Sequence, residues 1–276
     1  MVHNADDPRV PKLLELHPRA RLVALSPHVA AALRQRGFQA DWWLAAWDAQ
    51  GAVPALSTGS AGERSESLGE AMECPPLTNG TVPGPWGFTC QGRIDSRRRS
   101  YGSLWSDLEV AAGTKGQGKG TAAAQGPPRL KILGRSVEGE EGFSLPKAVR
   151  PYVTRISNAP YNKFYGHIRC SVALLTLFAD DSYYDTKFSS TVLASLSTGT
   201  PILADAPFLS AYSFLNASTT WALQPGEGLV RGMQRVAAEG WAQHAARRGA
   251  LAALRRELNA RAGAYLQGLL EEEAGR

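Results

Sequence analysis

Residues 171–178 read SVALLTLF, eight positions without a charge. A short apolar run with no polar alternation suits a strand buried on both faces. Such a strand needs helices above and below it, which is the arrangement of a parallel sheet. The next segment, KFSSTVLASLSTGTPILAD (187–205), supplies them: Ser189 or Ser190 can cap a helix running to Leu196, Gly199 can end it, and PILA (201–204) returns as a strand.

The same order of strand, loop and helix recurs upstream. GFTCQ (87–91) predicts a strand, and SYGSLWSDLEVAA (100–112) predicts a helix with Tyr101, Leu104, Trp105 and Leu108 at helical spacing. LKIL (130–133) and YVTRIS (152–157) predict further strands, with a short helix around residues 161–165; residues 134–151 carry no pattern. Near the start, RLVAL (21–25) predicts a strand leading into a helix capped by Ser26, with Pro27 in the first helical position and Gly37 at its end. DWWLAAW (41–47) is too aromatic for an exposed loop and predicts a strand or an apolar connector. In the tail, Leu251, Leu254, Leu258, Ala262, Tyr265 and Leu269 form one apolar stripe of a long helix that must cover a surface. Alternation of this kind predicts an α/β fold with helices on both faces of a parallel sheet.

Composition divides the chain. Residues 48–86 are rich in Gly, Ser, Pro and Glu without apolar periodicity, and residues 113–128 are low in complexity. The expected organisation is therefore an N-terminal piece (1–47), a linker or disordered insertion (48–86), an α/β domain (87–228) with a loop at 113–128, and a helical segment (229–276). Cys74, Cys90 and Cys170 lie far apart with no CxxC spacing, which suggests neither a disulfide nor a zinc site, and a reducing, cytoplasmic setting fits. No apolar stretch is long enough to span a bilayer, and MVHNADDPRVPK has no signal-like apolar core. The sequons at Asn79 and Asn216 are read as chance matches. The net charge of +5 is modest and clustered, as in RIDSRRR (93–99), which suits a phosphate ligand better than a nucleic-acid track; no nucleic-acid partner is expected.

Three motifs compete for a role. Gly113, Gly118 and Lys119 have the spacing of a phosphate-binding loop, but Gly120 stands where a hydroxyl is required and no buried strand precedes them, so the motif is rejected. The pairs Asp6-Asp7 and Asp180-Asp181 read as solvated loops rather than a metal site, and no metal is expected. Gly92, Arg93 and the run Arg97–Arg99 lie between a strand and a helix, where a parallel sheet binds anions. Lys187, Ser189, Ser190 and Thr191 again follow a buried strand at a helix start, where free N–H groups, hydroxyls and an ammonium can meet a phosphate. Simple N-capping accounts equally well for Ser189 and Ser190. His3, in VHNADD, is a strand-end histidine that could touch a ligand.

The order of these pieces resembles the nucleotide-sugar glycosyltransferases of the two-Rossmann-domain type. QGRIDSRRRSYGSL (91–104) resembles the G-R…K-G…L segment that opens their second domain, with Arg93 on the family arginine and Arg98 near the family lysine. KFSSTVLASLSTGTPILAD resembles the later helix ending in G-x-P before a strand, and VHNADDP with RLVALSPHVAAAL resembles the close of the first domain, where the family carries a histidine facing the donor sugar. The resemblance implies the C-terminal half of that fold, a Rossmann-like sheet with a remnant of the first domain and a C-terminal helix. It implies glycosyl transfer from a nucleotide diphosphate sugar to an unspecified acceptor, with no cofactor or metal. Gly92, Arg93, Arg98, Lys187, Ser189, Ser190 and Thr191 would bind the diphosphate, and His3 would be catalytic. Two departures stand out. The positions of the glutamate pair found in many retaining members fall on Thr186 and Ala194, and Met1 lies two residues before the VHN segment's histidine, as in a truncated enzyme. A non-catalytic α/β module that binds a protein or polyanion through its basic turn and arginine-rich tail is the alternative.

Overall fold

The computed structural model of the chain describes residues 1–49, 74, 86–113, 126–135 and 143–275. The N-terminal piece contains α1 (Arg9–Leu16), β1 (Leu22–Ala24), α2 (Pro27–Gln35) and β2 (Ala40–Trp42). β1 and β2 pair in parallel, and Val2 bridges to Ala24 on the free side of β1, so the chain start adds a third short rung. Pro27 opens α2 and Gly37 follows its end at φ +85°, as predicted, but Ser26 sits at the cap position without a side-chain capping hydrogen bond.

The remaining elements are β3 (Phe88–Gln91), α3 (Tyr101–Ala111), β4 (Leu130–Gly134), β5 (Val153–Ser157), α4 (Tyr161–Arg169), β6 (Ala173–Leu175), α5 (Ser182–Asp185), α6 (Ser190–Thr198), β7 (Ile202–Ala204), α7 (Ala206–Ala211), β8 (Trp221–Ala222), α8 (Leu229–Ala238) and α9 (Trp241–Ala274). Strands β3–β8 make one parallel sheet in the order β5-β4-β3-β6-β7-β8. This is the doubly wound order 3-2-1-4-5-6, whose direction reverses between β3 and β6.

Side chains alternate strictly across the sheet. Leu133, Leu174, Ile202 and Ala204 point to one face, where they pack with α2, α6, α7 and α9; Leu130, Ile132, Ala173, Leu175 and Leu203 point to the other, under α3 and α8. The first core also takes in Ala5, Leu22, Val29, Leu33 and Leu44, so the N-terminal piece packs continuously on the sheet domain. Gly199 closes α6 in the left-handed conformation, φ +67°, which the absence of a Cβ makes inexpensive.

One expectation is corrected. Cys74 and Cys170, 96 residues apart, are joined by a disulfide with their Cα atoms 5.1 Å apart. No spacing motif announces such a pair, because only the tertiary fold brings the end of α4 to residue 74. A disulfide persists in oxidising surroundings, so the thiol argument for a reducing compartment is removed. Cys90 is free and buried. Most of 48–86, including Asn79, and Gly118, Lys119 and Gly120 lie outside the described residues.

The terminal helix α9 runs across both parts of the molecule. Leu251, Leu258 and Ala262 are buried, as the stripe predicted. Its arginines are largely committed to packing: Arg247 lies 3.5 Å from the Trp221 ring centroid, Arg248 donates to Ser171 O at 2.6 Å, and Arg255 reaches Asp48 at 2.6 Å. Among the described residues, no helix is long and apolar enough to cross a membrane.

Candidate functional site

In a doubly wound sheet the ligand crevice opens where the strand order reverses, beyond the carboxyl ends of the two strands there. In this chain those ends are Gln91 of β3 and Leu175 of β6. Immediately after Gln91, Gly92 takes φ +118°, and a Cβ placed on Gly134 would stand 1.6 Å from the Gly92 carbonyl oxygen. Two glycines therefore let the ends of β3 and β4 close on each other and turn the arginine segment outward.

That segment is fastened across the crevice. Arg99 bridges to Phe178, Ser100 N–H donates to Leu177 O at 3.1 Å, and Ala179 N–H donates to Arg98 O at 3.3 Å. The four arginines then separate by task. Arg99 is internal, donating to Gln91 O at 2.8 Å with its guanidinium 5.8 Å from the Phe178 ring centroid. Arg97 pairs with Asp95 at 3.1 Å, which holds that carboxyl below its ordinary range. Arg98 donates to the Tyr183 hydroxyl, and Arg93 is exposed.

The second cluster meets the first through Gln91, whose amide donates to Thr191 Oγ1 at 3.1 Å and lies 3.4 Å from Ser190 Oγ. Ser189 is 2% exposed and its hydroxyl accepts from Thr191 N–H at 3.3 Å, so it caps α6. Ser190 is exposed at the first turn. Lys187 lies one turn of chain earlier, and its ammonium shares a neighbour with Arg98: the amide and hydroxyl of Ser182 hold the Asp180 carboxyl below its ordinary range, with Lys187 and Arg98 adding to the effect. The arrangement thus brings Arg98, Lys187, Ser190 and Thr191 to one edge of the sheet beside Gly92 and Arg93.

The chain start lines the same place. Asn4 bridges antiparallel to Lys187, Phe188 N–H donates to His3 O at 2.8 Å, and Ala5 N–H donates to Thr186 O at 2.8 Å. The His3 side chain is exposed, and nearby the Asp7 carboxyl is held below its ordinary range by its hydrogen bonds to Arg9. Ala194 is 3% exposed and inside α6, while Thr186 is half-buried in the loop, so neither glutamate position carries a carboxylate. Among the described residues, no group of three His, Cys, Asp or Glu is arranged to hold a metal ion.

Sequence reasoning passed over Gln91 and Tyr183, named Arg99 only as one of a basic run, and read Asp180 as part of a solvated loop. Gln91 carried a signal, being the polar residue that ends an otherwise apolar strand beside a glycine. The other three owe their places to contacts between distant segments.

No protein-family model matches the chain, and no curated protein matches it by sequence. Solved structures do match. Sucrose-phosphate synthase from Thermosynechococcus elongatus superposes with a TM-score of 0.52 at 15% identity over 91% of this chain and 58% of its own. HepE from Anabaena, solved in complex with UDP and glucose, gives 0.53 at 13% identity over 94% and 66%. A UDP-forming trehalose-phosphate synthase from Burkholderia vietnamiensis gives 0.53 at 9% over 95% and 65%. The chain spans less than two thirds of the length of each of these structures. With the doubly wound order, the small N-terminal βαβ unit and the long returning helix, the fold is that of the two-Rossmann-domain glycosyltransferases.

Proposed function

We propose that the chain binds a nucleotide diphosphate sugar at the carboxyl edge of its six-stranded sheet and serves glycosyl transfer to an acceptor. The observation that carries this reading is the meeting of two cationic, hydroxyl-bearing segments at the point where the strand order reverses, joined through Gln91. Gly92 gives the diphosphate close access to backbone. Arg93 and Arg98 would approach it from the turn after β3, and Lys187, Ser190 and the N-terminus of α6 from the other side, with Ser189 and Thr191 keeping that helix start in shape.

Transfer requires negative charge on the departing diphosphate to be stabilised as the glycosidic bond breaks. Fixed guanidinium and ammonium groups with helix N–H donors do this electrostatically. The reading uses protein cations for that purpose and needs no divalent ion. His3, on the segment paired with the Lys187 loop, is proposed to face the donor sugar, and acceptor activation would fall to a first domain larger than the piece in this chain.

HepE was solved with UDP, which makes UDP the first probe. Calorimetric titration with UDP, ADP and GDP, with and without EDTA, tests the reading. Binding of one of them at micromolar to sub-millimolar Kd, unaffected by EDTA and weakened by about tenfold in Lys187→Ala, supports it; no heat with any of them up to millimolar concentration sinks it. The alternative, a polyanion- or protein-binding module acting through the tail, is favoured less, since Arg247, Arg248 and Arg255 are engaged in packing.

A further inference from the structure

The Cys74–Cys170 disulfide gives a role to a tripeptide that stays inert in a reducing compartment. Asn216-Ala217-Ser218 has the N-x-S form of an N-glycosylation acceptor, with no proline in the middle position. The lumen that oxidises a pair of thiols is also the place where such asparagines are glycosylated.

The tripeptide lies in the loop between α7 and β8. All three of its residues are exposed, while Leu215 before it and Thr219 and Thr220 after it are buried. It therefore stands out from the surface between two anchored flanks. The Asn216 main chain carries the turn: its carbonyl accepts from the N–H groups of Thr219 and Thr220, both at 3.0 Å, and from the Thr220 hydroxyl at 2.8 Å, and its N–H donates to Thr219 Oγ1 at 3.0 Å. The side-chain amide nitrogen takes no part in this. Ser218 donates twice to Asn216 Oδ1, from its N–H at 2.9 Å and from its hydroxyl at 2.6 Å, so the carboxamide oxygen faces into the turn and Nδ2 is left without a hydrogen bond among the described residues. A bulky substituent on Nδ2 displaces no internal contact. The hydroxyl that the acceptor motif requires is the group that sets this orientation.

A parallel strand is entered from its amino end, and Thr220 O, just before β8, accepts from Arg247 Nε at 3.1 Å. The loop thus lies at the amino edge of the sheet, opposite the crevice beyond Gln91 and Leu175, and a glycan on it leaves that crevice open.

We propose that Asn216 is an N-glycosylation site, its oligosaccharide being transferred from a lipid-linked diphosphate donor by a separate enzyme. In that step Nδ2 bonds to the anomeric carbon of the sugar, the bond from that carbon to the diphosphate oxygen breaks, the diphosphate leaves with the electron pair, and Nδ2 gives up one proton to a base of the transferring enzyme. Transfer to the emerging chain comes before folding, and the exposed, unbonded Nδ2 is what lets the folded product carry the glycan at its surface.

The test is made on the full chain isolated from the cells that encode it. The proteolytic peptide holding residue 216 is read by mass spectrometry, with and without prior treatment with peptide N-glycosidase. Without treatment it carries the added mass of an oligosaccharide, and after treatment position 216 reads as Asp. Reading this peptide alone separates Asn216 from the second acceptor motif at Asn79. Ser218→Ala, which keeps the asparagine, loses the modification, and Ser218→Thr keeps it. Unmodified Asn216 in the isolated wild-type chain overturns the proposal, whether or not Cys74 and Cys170 are joined. So does a modification at residue 216 that survives Ser218→Ala, because attachment that ignores the hydroxyl is not directed by this motif. Should a variant not fold, the wild-type digest decides alone.

Discussion

The two edges of the six-stranded sheet carry similar side chains and use them differently. At the amino edge, Lys131 donates to Cys170 O at 2.8 Å, Arg248 donates to Ser171 O with its guanidinium 5.2 Å from the Trp86 ring centroid, and Arg247 covers Trp221. His244 sits between Trp221 and Trp241. Each cation there has a carbonyl or an aromatic face, and burial lowers Lys131 to about 8 and Arg248 to about 10. At the carboxyl edge, Arg93 is exposed, and neither it nor the Lys187 ammonium makes a hydrogen bond among the described residues. A cation that packing has satisfied holds the fold; one left unsatisfied at a crevice can take a ligand.

Perturbing the two edges should therefore separate stability from binding. The largest effect is expected from the disulfide at the amino edge. Replacing Cys74 by Ser removes a cross-link over 96 residues and should cost about 4–5 kcal/mol in the chain-entropy account, read as a lower denaturant midpoint that reductant reproduces in the wild type. Arg248→Ala comes next, at about 2–3 kcal/mol, since it strands Ser171 O and leaves a gap beside Trp86. UDP affinity of the folded fraction should not change in either variant; if it does, the edges are not independent.

Gly134→Ala tests the junction at the carboxyl edge. A methyl group 1.6 Å from Gly92 O must push β3 and β4 apart, with an expected loss of about 1–3 kcal/mol in stability and weaker UDP binding together. Lys187→Ala and Arg93→Ala should each raise the UDP Kd by about tenfold while shifting stability by less than about 0.5 kcal/mol. Either variant melting well below the wild type would break the distinction. The smallest effect is a slope. Burial depresses His244 to about 4, so its contribution to stability is complete above 6.5 and declines as pH falls toward that value. His244→Phe should flatten the rise of the urea midpoint between pH 5 and 7.

The central strands of the sheet were legible because they are buried on both faces, α3 because its apolar residues recur at helical spacing, and α2 and α6 because Pro27, Ser189 and the glycines that follow them mark their ends. SVALLTLF predicts a strand longer than the three residues of β6, since Leu177 and Phe178 are apolar for another reason, packing against the arginine turn. α1, α5, α7 and β8 were not anticipated. α5 has four residues and β8 two, too short for periodicity to register, and Pro207 sits near the start of α7, where it reads equally as a loop. In the site, glycine and arginine positions could be read from composition next to a strand. The capping role of Ser189, the turn lock by Arg99 and the grip of His28 on Lys187 O depend on partners 70 to 160 residues away or on backbone geometry, which no local pattern encodes.

The 34-residue helix α9 has a consequence for how the chain is made. Its first turns pack on the Trp221 edge, Arg255 and Asn259 hold Asp48 and Ala46, and Arg21 is paired with Glu272. The segment after β2 is thus finished by residues 207 to 213 positions later. During synthesis the core of Leu22, Leu33 and Leu44 stays open until Leu251 and Leu258 of α9 have emerged, and a nascent chain stopped before α9 should be the form that chaperones hold longest.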